Sequence, residues 1–115
     1  MDFFPIFLDI KSKRCLVIGG GAVAERKVAA LLKSGADVVL IAPELTASLI
    51  TWRDAGQLTH VARAFNDDDV TGAYLVIAAT DNSATNRQIA GLADAQHIPV
   101  NVVDQPELCL SLIHI

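Results

Sequence analysis

The chain is poor in the residues that build disulfide-held or metal-held folds. It has two cysteines and three histidines in 115 residues; Cys15 sits inside an apolar run and Cys109 lies near the other end. That arrangement supplies neither a disulfide framework nor a zinc site, and it fits a reducing compartment. No metal site is expected. Charge is also sparse, at 19% of residues with a formal net charge of −4. Lys11, Lys13, Arg14, Arg26, Lys27 and Lys33 are scattered rather than gathered into a cationic stripe, so a nucleic-acid partner is not expected. No apolar run approaches the ~20 residues that span a bilayer. The opening MDFFPIFLDIK has neither a basic leader nor a small-residue cleavage site, so the expected location is cytoplasmic, with no membrane partner. No repeat, low-complexity tract or block of like charge divides the chain, which has the size of one domain or of a piece of a larger protein.

What the chain does have is aliphatic side chain, in a sequence that is 52% hydrophobic and arranged in alternating kinds of segment. PIFLDI is a short extended stretch, and RCLVIG an uninterrupted apolar run that reads as a buried strand. From Ala22 to Ser34, the residues Ala24, Val28, Leu31 and Leu32 recur at helical spacing, and Gly35 stands where a helix would be capped. The pattern then repeats: DVVLIAP as strand, LTASLITWRDAG as helix, LTHVAR as a short strand, and NDDDVTG as a turn or single helical turn. AYLVIAAT is the next strand, SATNRQIAGLADAQ a helix and IPVNVVD the closing strand. Strands alternating with helices of this length predict an α/β, Rossmann-like fold: a mostly parallel sheet with helices on both faces.

In such a sheet, ligands gather beyond the carboxyl ends of the strands. Gly19, Gly21 and Ala24 fit the G-x-G-x-x-[GA] pattern at that end of the first long strand. Gly19 would make the tight turn, Gly21 would let the backbone approach a pyrophosphate, and Ala24 would let the helix pack on the strand. The alternative is a ligand-free strand-to-helix turn. At the end of the next strand stand Pro43 and Glu44; Glu44 lies slightly later than the usual ribose-binding acid, so it is either that ligand or a solvated acid before a helix. No arginine follows this strand to take a 2′-phosphate, which favours NAD over NADP. Thr80, Asp81 and Asn82 follow the fourth long strand, AYLVIAAT, where they either face the nicotinamide half of a dinucleotide or, for Asp81 and Ser83, cap the next helix. Asp104 ends the last apolar run, as either a partly desolvated general base or a turn residue before Gln105 and Pro106.

Taken together, PIFLDI, CLVIGGGAVAERK, AATDN and NVVDQPELC resemble the dehydrogenase and chelatase module of siroheme synthase, a module also found as a free-standing precorrin-2 dehydrogenase. The resemblance runs from Met1 to Cys109. It implies oxidation of the tetrapyrrole precorrin-2 to sirohydrochlorin with NAD, then insertion of ferrous iron, as substrate, to give siroheme. It also implies nucleotide contacts at Ala22, Val23, Pro43 and Glu44, an essential aspartate at Asp104 and a homodimer in the complete protein. Residues 1–109 are therefore expected to be the NAD-binding domain of a truncated larger enzyme, and LSLIHI at 110–115, which departs from the family pattern, a non-native tail. His114 has no expected ligand role, and His60 and His97 read as surface or packing residues. The competing function is a non-catalytic NAD(H)-sensing module, which would have no use for a carboxylate beside the nicotinamide.

Overall fold

The structure is a computed structural model that describes residues 3–5, 9–102 and 112–114. Its centre is a five-stranded parallel sheet built from β2 (Arg14–Ile18), β3 (Asp37–Ile41), β4 (Thr59–Val61), β5 (Leu75–Ala78) and β6 (Val100–Val102), in the order β4-β3-β2-β5-β6. The helices are α1 (Ala22–Lys33), α2 (Ala47–Asp54) and α3 (Ser83–Ala95), with one 3-10 turn at Asp67–Val70. This is the expected Rossmann-like fold.

Alternation along the central strands explains why they read as unbroken apolar runs. Cys15 and Val17 of β2, Val38 and Leu40 of β3, and Leu75 and Ile77 of β5 face Ala24, Val28 and Leu31 of α1 and Leu49 of α2. Leu16, Ile18, Ile41, Val76 and Ala78 point the other way, against Ile89 and Ala93 of α3 and Val70 of the 3-10 turn. Both faces are therefore buried, and each fully buried aliphatic side chain contributes about 1.5–3 kcal/mol. Cys15 belongs to this core. Burial, and secondarily the Asp37 carboxylate, pushes its thiol up to about 11, so at neutral pH it is a protonated packing group and not a nucleophile.

The turn chemistry matches the sequence at the end of α1, where Gly35 adopts φ +78° after the Ser34 cap. It differs at α3: the cap is Asn82, whose side chain accepts the Thr85 amide at 2.9 Å, rather than Asp81 or Ser83. Of the first expected extended segment, Pro5 ends a short strand. β1 covers Phe3–Pro5 and pairs antiparallel with β7, Leu112–His114, which falls within the six residues expected to be a non-native tail. Ile6 to Leu8 of the expected segment lie outside the described residues.

The chain winds from β2 through β3 to β4, then crosses back to place β5 on the other side of β2. The strand order reverses between β2 and β5, and a crevice opens there at the carboxyl ends of both.

Candidate functional site

The glycine turn lies at that reversal. Gly19 has φ +128°, a conformation closed to side-chain-bearing residues, and a Cβ there would collide with the carbonyl of Ala79 at the end of β5. Gly20 has a different constraint: a Cβ would run into the carbonyl of Glu44 and lie 3.0 Å from the Ala42 Cβ. Gly21 has neither problem. Its φ of −94° and ψ of −165° are ordinary extended backbone, and a Cβ would meet nothing within 4 Å. The first two glycines are required by the protein's own backbone, whereas the third leaves open space in front of the start of α1.

That helix start has no side-chain cap. The side chains of Thr46 and Asn82 accept amides at the starts of α2 and α3, but at α1 the first helical bond runs from the Glu25 amide to the Gly21 carbonyl, at 2.9 Å. The amides of Ala22, Val23 and Ala24 precede that bond, so they have no partner one turn back and form the positive end of the helix dipole. Such an end is a site for an anion.

The loop after β3 forms a second wall. Pro43 and Glu44 are exposed, and they are fixed on either side by polar contacts. Before them, the His60 Nε2 donates to the Ala42 carbonyl at 2.8 Å, and Arg53 donates to the His60 Nδ1 at 3.3 Å. A carbonyl only accepts and a guanidinium only donates, so this imidazole carries its proton on Nε2. His60 is thus half-buried, with both ring nitrogens engaged by the protein. After them, the Thr46 amide donates to the Gly20 carbonyl at 3.0 Å.

The loop after β5 forms the third wall, around a fully buried polar residue. Asn86 accepts the Thr80 amide at 3.1 Å and the Thr80 hydroxyl at 2.6 Å, while its own amide donates to the Thr80 carbonyl at 3.0 Å. The Thr80 hydroxyl oxygen also accepts the Asn82 amide at 3.2 Å. Thr80 thus spends its amide, carbonyl and hydroxyl inside the protein, and the free polar side chain on this loop is the exposed Asp81. Asn86→Ala is expected to destabilise the fold by about 1–3 kcal/mol, because it removes three bonds to the partly buried amide, carbonyl and hydroxyl of Thr80. Urea titration of the variant beside the unmodified chain checks this.

All eight residues expected to contact the cofactor, Gly19, Gly21, Ala22, Val23, Pro43, Glu44, Thr80 and Asp81, line one cleft of about 680 Å³, together with Ala64, Phe65 and Thr85. Asp104, the expected catalytic residue, lies outside the described residues, as does Cys109. Sequence reasoning missed Gly20, Thr46 and Asn86. Thr46 carried a signal, since a threonine directly before a helical pattern is a cap candidate; a lone asparagine inside a helix carries none. Among the described residues no cluster of three or more His, Cys, Asp or Glu is placed to hold a metal ion, and no helix is long and apolar enough to cross a membrane.

A family model described as NAD(P)-binding matches residues 6–113. The chain belongs to this NAD(P)-binding family. Within the NAD(P)-binding proteins, it is similar to the siroheme synthase of Nitrosococcus oceani, 49% identical over 109 residues that make up 95% of this chain and 23% of the relative. The siroheme synthase of Thioalkalivibrio sulfidiphilus is also 49% identical, over 95% of this chain and 22% of its own length. The chain thus spans about a quarter of the length of these curated relatives. Among solved structures it is similar to SirC, a precorrin-2 dehydrogenase, with a TM-score of 0.79 and 26% identity over 89% of this chain and 50% of that one.

Proposed function

We propose that this chain is the NAD-binding part of an enzyme that oxidises precorrin-2 to sirohydrochlorin. The observation that carries the proposal is the uncapped start of α1 behind the open face of Gly21, at the point where the strand order reverses. The similarity to siroheme synthases and to a precorrin-2 dehydrogenase supports the choice of substrate.

In this reading, the amides of Ala22 and Val23 hold the pyrophosphate, with Gly19 and Gly21 keeping the approach free of side chains. Pro43 and Glu44 hold the adenosine ribose. Thr80 supports the nicotinamide half through its methyl and backbone surface, and Asp81 offers the polar contact on that side. Bound in this cleft, NAD would supply the hydride acceptor for oxidation of the tetrapyrrole. The accompanying proton goes to Asp104, a carboxylate beyond the end of β6. In the complete protein, the same carboxylate takes pyrrole protons as ferrous iron, a substrate, enters the ring. That protein is a cytoplasmic homodimer.

Two features favour NAD over NADP. Glu44 puts a carboxylate where a 2′-phosphate would need a cation. Arg63, next to the cleft-lining Ala64, has its guanidinium held by both oxygens of Asp69, at 2.7 and 2.8 Å. NAD is expected to bind about tenfold more tightly than NADP. Calorimetric titrations of both cofactors at one salt concentration check this, and equal affinities would remove the preference.

A further inference from the structure

We infer that Thr46 and Glu25 clamp the cofactor-facing loop at Pro43 and Glu44 to the glycine turn, and that NAD affinity depends on this clamp; the inference rests on the NAD reading above. Besides its carbonyl, which accepts the Ile50 amide at 3.0 Å, Thr46 makes three bonds through its amide and hydroxyl. Its amide donates to the Gly20 carbonyl at 3.0 Å, its hydroxyl donates to Glu25 Oε1 at 2.7 Å, and its hydroxyl oxygen accepts the Leu49 amide at 3.4 Å. Glu25 in turn belongs to the first turn of α1, with its amide on the Gly21 carbonyl. One threonine therefore joins the glycine turn, the start of α1 and the start of α2.

The geometry gives this junction a specific task. Glu44 is separated from Thr46 only by Leu45, and its carbonyl rests against Gly20 so closely that no Cβ fits between them. The distance between the pyrophosphate and ribose walls of the cleft is thus fixed by the contact of Gly20 with Glu44 and by the bonds of Thr46. The Thr46 bond to Glu25 is charge-assisted, shorter and stronger than a neutral one, and it is partly buried. A dinucleotide must meet both walls at once, and a site that loosens by half an ångström loses that match. Thr46 and Glu25 are accordingly positioning residues: neither lies in the reaction itself.

Thr46→Val keeps the shape and removes the hydroxyl, whereas Thr46→Ser keeps the hydroxyl. In the full chain, Thr46→Val is expected to weaken NAD and ADP-ribose alike by about tenfold, the effect of losing one hydrogen bond to a charged group. Thr46→Ser is expected to stay within about threefold of the unmodified chain, and Glu25→Gln to fall between the two. Amide exchange at Glu44, Leu45 and Leu49 should quicken in the valine variant and return in the serine variant. In the complete enzyme, Thr46→Val should raise KM for NAD while kcat at saturating NAD stays unchanged. A valine variant that binds NAD as tightly as the original would overturn the inference, as would a serine variant that fails to restore affinity. If the unmodified chain does not bind NAD, the cofactor reading itself fails. The clamp is then judged by exchange alone: faster exchange in the valine variant supports it, and unchanged exchange overturns it.

Discussion

Asp104→Asn, made in the complete enzyme, is expected to lower the rate of precorrin-2 oxidation by about 10²-fold or more while leaving NAD affinity nearly unchanged. Oxidation of a ring carbon removes a hydride and a proton, and a cofactor that takes the hydride leaves the proton without an acceptor. A positioned base in that role contributes about 10²–10⁴-fold. Asparagine keeps the size of the side chain and loses the basic oxygen, so a loss of rate without a loss of binding isolates the proton transfer. The assignment comes from the resemblance; in the fold, β6 pairs with β5 in parallel with Val102 opposite Ala78, so both strands end at the same edge of the sheet. Iron insertion should fall with oxidation if one carboxylate accepts protons in both reactions. Following NADH formation by absorbance measures the first effect. An unaltered rate would remove Asp104 from the catalytic assignment and leave it as a turn residue.

Gly21→Val is expected to weaken NAD binding on the order of 100-fold, about 2.7 kcal/mol, in a chain that still folds. Valine tolerates the extended backbone of Gly21, and no protein atom lies within 4 Å of its Cβ position. The space it fills is the space in front of the α1 amides, so the loss falls on the ligand alone. The neighbouring glycine gives the contrast. Gly20→Ala places a methyl group in the Glu44 carbonyl, and that variant should lose stability whether or not NAD is present. Melting temperatures read beside calorimetric affinities separate the two cases. A Gly21→Val chain that binds NAD normally would move the cofactor away from this turn.

The parts of this molecule that the sequence reveals are those whose cause is local. The apolar run from Cys15 to Ile18 declares a strand buried on both faces, the spacing of Ala24, Val28 and Leu31 declares a helix, and Gly35 marks its end. The position of Gly19 after that strand points to the turn. The reason for Gly20 was hidden, because the carbonyl it accommodates belongs to Glu44, on another loop. Asn86 was hidden for the same reason: its partner Thr80 is brought to it by the turn into α3. The bond from Thr46 to Glu25 joins the cap of α2 to the first turn of α1, two places far apart along the chain that the fold brings together. The choice of Asn82 over Asp81 or Ser83 as a cap was beyond local reasoning, since all three residue types suit that position and the path of the loop decides.

Titrating the isotope-labelled chain with NAD and following its amide resonances tests whether a dinucleotide lies across the glycine turn. Saturable shifts are expected at Gly21, Ala22 and Val23, with smaller ones at Glu44 and Asp81, and none at residues on the far edges of the sheet such as Thr59. Shifts absent from the glycine turn at saturating NAD, or confined to another surface, would contradict that placement of the dinucleotide.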